Sequence, residues 1–344
     1  MQTYLVAFTV ALAVAYFTTP WVKNMAIKAG ALDAPDARKV HVKPIPRLGG
    51  LAIYLGFVLA VLASMHVNRE IMGLLLGGTV ILMVGIIDDM FQLSAKVKLL
   101  GQIAAAFVLV MFNIRIEWLT NPFGEMLYVD YFSIPLTILW VVGLTNTVNL
   151  IDGLDGLAAG VSTIASVTIL LVALQQHFWT VAILTAALAG AALGFLQHNF
   201  NPAKIFMGDT GSMFLGFMLA AISILGTVKS AATIALVVPI MALGLPIMDT
   251  AFAIIRRYMS GRPIFKPDKG HLHHRLLEMG LTQKQAVLLM YVISSCLGVS
   301  AIALTEVNQF FGACIIVLLL AVAVIGARKI GVLKTAESIE VVQE

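Results

Sequence analysis

The chain has 344 residues, of which 60% are hydrophobic and 12% charged, and its mean hydropathy is +0.96. That balance excludes an ordinary water-soluble domain, and two cysteines give neither a disulfide framework nor a cysteine zinc site. The net charge of +4 is no argument for a nucleic-acid partner, because a basic rim on one face is what a membrane protein shows.

Eleven apolar runs follow one another, each of roughly 17 to 25 residues and so long enough to cross a ~30 Å hydrocarbon core. They lie at 2–22, 48–67, 71–87, 99–116, 134–150, 157–174, 179–197, 213–228, 231–255, 286–304 and 310–327. The predicted fold class is all-α: a polytopic membrane protein of about 11 transmembrane helices. Ala13-Val14-Ala15 in the first run resembles a signal-peptidase site, but no Lys or Arg precedes it, and the run reads as a retained helix with its N-terminus outside. Cys296 and Cys314 fall inside runs, where a thiol behaves as a small apolar side chain.

The loops alternate in charge. With the first loop cytoplasmic, only Arg69, Arg115 and Lys229 fall on the outer side, which leaves 19 of the 22 Lys and Arg inside. The positive-inside rule then makes the C-terminus cytoplasmic too. The division expected is one integral-membrane domain over 1–330, its active site built from cytoplasmic loops, and a short cytoplasmic tail over 331–344.

Five sequence segments on that side carry the chemistry. The first is His41 to Gly50, HVKPIPRLGG. The second runs from Asp88 to Lys98 and opens on two adjacent carboxylates; Asp88 and Asp89 stay jointly ionised near a low-dielectric boundary only beside a cation or basic groups. Magnesium suits them, since it takes oxygen ligands and keeps positions for water and phosphate. A solvated helix end is the plainer alternative. In the third segment Asn146, Asn149, Asp152 and Asp155 recur every third residue, so neighbouring members are expected on one helical face. Amides and carboxylates of this kind bind ribose, base or sugar hydroxyls as readily as a metal; a pair of Asx turns is the alternative.

In the fourth segment, Asn199 to Ser212, Asp209 stands between Gly208 and Thr210 just before an apolar run. It reads either as a helix N-cap or as a metal-bound carboxylate facing a diphosphate. Phe206 is a candidate stacking surface for a base. Asp249, inside the ninth run after Pro246, is expected to pair with a neighbouring helix. The fifth segment holds His271, His273 and His274 amid Lys266, Asp268, Lys269 and Arg275. That set suits hydrogen-bond donation to phosphate oxygens better than a zinc site lacking cysteine.

Taken together, PRLGG, the DD pair with downstream KVKLLGQ, NTVNLIDGLDGLAAG, NPAKIFMGDTGS and GHLHHRLLEMG resemble, in order, the motifs of the polyprenyl-phosphate N-acetylhexosamine-1-phosphate transferases. The HxHH form and eleven runs look like the GlcNAc-1-phosphate branch of TagO and WecA, with the phospho-MurNAc-pentapeptide branch of MraY more distant. The resemblance implies transfer of GlcNAc-1-phosphate from UDP-GlcNAc to undecaprenyl phosphate, giving undecaprenyl-diphosphate-GlcNAc and UMP. It implies magnesium, with manganese as a substitute, a place at the first membrane step of an envelope polysaccharide or teichoic acid pathway, and the bacterial inner membrane as location. Carried over by motif, the catalytic positions are Asp88, Asp89, Asp209, His271, His273 and His274, with Asp209 and Asp89 as metal ligands. Lys98, Asn149, Asp152, Asp155, Asn199 and Phe206 match substrate-binding positions. Gln92 replaces the lysine found in the MraY branch. Direct attack is expected, with Asp88 as candidate base; dimerisation is left open. An ion-coupled secondary transporter is the alternative of a different class, though its acids belong at the bilayer midplane.

Overall fold

The structure, a computed structural model, describes residues 2–33, 44–119, 127–228, 237–261, 270–307 and 309–332. His41, Lys43, Lys229, Lys266, Asp268 and Lys269 lie outside the described residues, as does nearly all of the expected tail.

Every apolar run contains a helix. In chain order these are α1 (Thr3–Lys28), α2 (Gly50–Ser64), α3 (Arg69–Phe91), α4 (Ala95–Met111), α5 (Ser133–Ile151), α6 (Leu157–Gln175), α7 (Trp179–Asn199) and α8 (Gly208–Val228), then α9 (Val237–Ala242), α10 (Gly244–Met259), α11 (Leu272–Glu278), α12 (Gln283–Ala303) and α13 (Gln309–Ile330). Eight of the described helices are long and apolar enough to cross a membrane. With 15 residues, α2 falls short by length. The ninth run is divided between α9 and α10, parting at Leu243 just before Gly244 and Pro246, where hydropathy predicts one continuous span. α11 is a short helix of the histidine loop that hydropathy alone does not reveal.

A single 3-10 turn (Asp130–Phe132) and two antiparallel two-stranded ribbons complete the described secondary structure. β1 (Leu32–Asp33) pairs with β2 (Ile45–Pro46), and β3 (Trp118–Leu119) with β4 (Leu127–Tyr128). The first ribbon matters to the site: Pro46 accepts from the Phe206 amide (2.8 Å), while the amides of Gly49 and Gly50 donate to the carbonyls of Phe206 and Met207 (3.0 Å each). The PRLGG segment is thereby stitched to the segment entering α8. A Cβ on Gly50 would collide with the backbone of Gly211, so α2 and α8 touch here because both residues lack side chains.

α8 is the most enclosed of the eight spanning helices and lies against α3 and α5, while α7 packs on α1. The α1–α7 seam uses small residues, Ala7, Ala11 and Ala15 facing an alanine-rich stretch of α7, which lets backbones approach where no hydrophobic force separates helix from lipid. α13 is the opposite case: its apolar side chains, such as Phe310, Val317 and Leu318, remain on the outside.

Candidate functional site

The site is built where alternating helices bring their ends together: the C-terminal ends of α3 and α5 meet the N-terminal ends of α4 and α8. Asp88 and Asp89 close α3, and consecutive helical residues point about 100° apart, so the pair divides its work. Asp89 accepts from the amides of Asp209 (3.0 Å) and Thr210 (2.9 Å) and from the Thr210 hydroxyl (2.6 Å). Both of its oxygens therefore cap the start of α8 from another helix. Asp88 accepts from the Leu93 amide (3.0 Å) and pairs with Lys98 (2.9 Å). Between them and α4, Gln92 adopts φ 54°, ending α3 in a left-handed turn.

Asp209 lies in the first turn of α8 and accepts from Asn149 (2.9 Å); Lys98 donates to the same Asp209 oxygen. One ammonium group thus sits between Asp88 and Asp209. Two carboxylates from distant segments face a single cation, and an amide side chain steadies one of them. Among the described residues no group of three or more His, Cys, Asp or Glu gathers closely enough to hold a metal by protein ligands alone. Oxygen donors in that number fit magnesium, which usually keeps water and substrate phosphate in its shell. Asp89, expected as a ligand, has both oxygens engaged by α8, so its geometry suits placing Asp209, and Asp88 suits the second ligand position better.

The expected face of Asn146, Asn149, Asp152 and Asp155 is divided in the structure, because α5 ends at Ile151 and the last two residues lie in the turn that leads into α6. Asn146 turns instead toward α4, exchanging hydrogen bonds with Gln102 (2.7 and 3.2 Å). Asp155 accepts from Asn201 (2.9 Å) and from the Ala203 amide (3.0 Å), and Asn201 also donates to Gln283 (2.9 Å). Asn199 braces the same corner: its amide oxygen accepts from Gly156 and its nitrogen donates to the Ile205 carbonyl, both at 3.0 Å.

A cavity of about 1080 Å³ opens above these groups. Asp89, Asn149, Asp152, Asp155, Asn199, Phe206, Asp209 and His274 line it, together with Arg47, Lys23 and Lys204, for which the sequence alone suggested no individual role in the site. Arg47 pairs with Asp33 across the β1–β2 ribbon. Although its side chain opens on the cavity, burial pushes the Asp152 carboxyl up to about 8, the charges of Asp209, Asp89 and Asp155 adding to the effect and Arg47 opposing it.

The three histidines are not equivalent. His274 faces the cavity, whereas His271 and His273 are buried. The His273 ring lies against Gly153, where a side chain would collide with it, and burial drops its imidazole to about 3, the neighbouring His274 adding to the fall. Such a ring is neutral and packs the loop. His271 Nδ1 meets Asp249 Oδ2 at 2.9 Å, and the Leu272 amide donates to Asp249 Oδ1 at 2.8 Å. Asp249 thus pairs with the histidine loop and not with a neighbouring transmembrane helix.

Comparison with known proteins supplies the chemistry to set beside this geometry. Residues 71–227 match the profile of the Glycosyl transferase family 4. Over 92% of its length the chain is 46% identical to the probable undecaprenyl-phosphate N-acetylglucosaminyl 1-phosphate transferase of Bacillus subtilis (strain 168), covering 88% of that protein. It is 41% identical to the decaprenyl-phosphate N-acetylglucosaminephosphotransferase of Mycolicibacterium smegmatis, over 84% of this chain and 78% of the relative. Similarity to the phospho-N-acetylmuramoyl-pentapeptide-transferase of Caldanaerobacter subterraneus is lower, 32% over 84% of this chain and 93% of the relative.

Proposed function

Because this chain belongs to the Glycosyl transferase family 4, with prenyl-phosphate N-acetylglucosaminyl 1-phosphate transferases among its relatives, we propose that it moves GlcNAc-1-phosphate from UDP-GlcNAc to undecaprenyl phosphate. The products are undecaprenyl-diphosphate-GlcNAc and UMP, and the reaction opens an envelope polysaccharide or teichoic acid pathway at the cytoplasmic face of the bacterial inner membrane. The observation that carries the reading is the meeting of Asp88, Asp209 and Lys98 at one end of an apolar helix bundle, beside a cavity large enough for a sugar nucleotide. Residues 1–330 act as one transferase unit, with 331–344 as its tail. The identities of 46% and 41% to the Bacillus and Mycolicibacterium relatives, against 32% to the pentapeptide transferase, favour the first two as guides to the donor.

In the reaction an oxygen of the prenyl phosphate attacks the β-phosphorus of UDP-GlcNAc; a P–O bond forms there, and the bond to the bridging oxygen breaks as UMP leaves with the electron pair. Two anions must approach, so the site has to offset charge. Asp88 and Asp209, already facing one cation, would hold magnesium, which supplies Lewis-acid neutralisation of the diphosphate. Lys98 stands beside that position as a second positive group, and His274 in the cavity wall donates toward phosphate oxygens. Asp89 keeps Asp209 in place through the α8 amides. Phe206 offers a stacking face, and Asp155 holds the Asn201–Ala203 corner beneath the nucleotide. Because the second pKa of a phosphate monoester is about 6, the acceptor is largely dianionic at neutral pH and needs no strong base. Asp88, engaged by Lys98 and the Leu93 amide, serves as ligand better than as base.

The test is incubation of purified protein with undecaprenyl phosphate and UDP-GlcNAc, measuring UMP with magnesium, with manganese and with chelator, beside UDP-MurNAc-pentapeptide as competing donor. Release of UMP that needs both the divalent ion and the lipid is expected. Turnover without lipid, leaving a phosphorylated aspartate, would overturn direct attack, and preference for the pentapeptide donor would overturn the substrate assignment.

A further inference from the structure

We propose that Asp249, in α10, is a positioning residue of the transferase, anchoring the histidine loop so that His274 is presented to the cavity. The inference rests on the transferase reading above and extends it to a residue outside the cavity. Asp249 is 4% exposed, and it does not line the cavity. Its two carboxylate oxygens have different partners in one segment, the His271 ring at 2.9 Å and the Leu272 amide at 2.8 Å. The second bond satisfies an otherwise unpaired donor at the start of α11, which His271 itself leaves uncapped by any side chain of its own. A carboxylate offers only lone pairs, so the proton on His271 sits on Nδ1.

From that anchor the geometry continues along the loop. The His271 and His273 rings are stacked, with centroids 5.8 Å apart and planes 10° apart, and His273 and His274 follow with centroids 4.2 Å apart. His273 is wedged on Gly153 in the turn between α5 and α6. One end of the row is held by Asp249, the middle by packing, and the far end opens on the cavity. Burying a carboxylate beside a histidine is costly unless both are hydrogen-bonded, and here both carboxylate oxygens bond to one loop. What it fixes is the position of the loop.

A double-mutant cycle on the full-length protein tests this, with UMP release from UDP-GlcNAc and undecaprenyl phosphate as the readout. Asp249→Ala is expected to lower kcat about 100-fold while KM for UDP-GlcNAc moves less than about threefold, and Asp249→Asn, which keeps an acceptor for the Leu272 amide, to lower kcat about tenfold. In a His274→Ala background, Asp249→Ala is expected to cost less than about threefold more, because residues that act as one unit are not additive. Should Asp249→Ala fail to fold, the same cycle with Asp249→Asn decides. Imidazole ¹⁵N NMR supplies a readout that needs no turnover: His271 loses its Nδ1 proton in Asp249→Asn. A kcat within threefold of wild type in Asp249→Ala, losses that multiply in the double variant, or an unchanged His271 signal overturns the proposal. A wild-type protein that releases no UMP would instead sink the transferase reading, leaving the NMR result to judge the anchor.

Discussion

Asp88 and Asp89 are chemically identical and adjacent, yet one pairs with Lys98 while the other caps α8, because a helical step turns consecutive side chains apart. The histidines divide in the same way, and burial sets their protonation. His273, held at about 3, is neutral in the fold, whereas an unfolded imidazole takes up a proton below about 6.5. The unfolded chain therefore binds more protons as the pH falls, so this contribution to stability is present above about 6.5 and is lost as the pH drops toward 3. Between neutral pH and pH 5 the loss amounts to about 2 kcal/mol. Thermal unfolding followed from pH 7.5 to 5 is expected to show a falling Tm in the wild type and a flatter dependence in His273→Asn; equal slopes would remove the account of His273 as a buried neutral wedge.

At the level of elements, the site depends on close approach between α2 and α8. Gly50 and Gly211 allow it, and the hydrogen bonds of Gly49 and Gly50 to Phe206 and Met207 hold the segment that ends at Asp209. Gly50→Ala forces a methyl group into the Gly211 backbone, an overpacking expected to cost about 1–3 kcal/mol. The same shift moves Asp209 relative to Asp88 and Lys98, so UMP release is expected to fall by more than the loss of folded protein explains. Quantifying folded protein by size exclusion beside turnover checks this, and turnover proportional to folded protein would contradict it.

For the whole molecule, the candidate site residues lie at one end of the bundle, since α3 and α5 run toward that end while α4 and α8 run away from it. A donor that arrives from water and an acceptor that arrives from lipid can meet only there. The charge asymmetry is the ground on which that end is proposed to face the cytoplasm. In a background with Cys296 and Cys314 replaced by alanine, Arg115→Cys is expected to react with a membrane-impermeant maleimide on intact cells and Lys204→Cys only after permeabilisation. The reverse pattern would invert the orientation.

By itself the sequence determined the class of molecule, the position of a helix in each apolar run, and the family, because hydropathy is additive along the chain and the motifs keep their order. It also singled out Asp209, Lys98 and Asn149, which the structure brings together. Partnership between distant residues is another matter. That Asp89 caps α8, that Asn146 faces Gln102 and not the cavity, that the ninth run is divided between two helices, and that Asp249 grips the histidine loop were all decided by the tertiary structure. Asp249 left one signal in the sequence, an acid within an apolar run, but a carboxylate in such a place needs partners without naming them. Which donors satisfy it depends on how the helices pack, and no local pattern along the chain carries that.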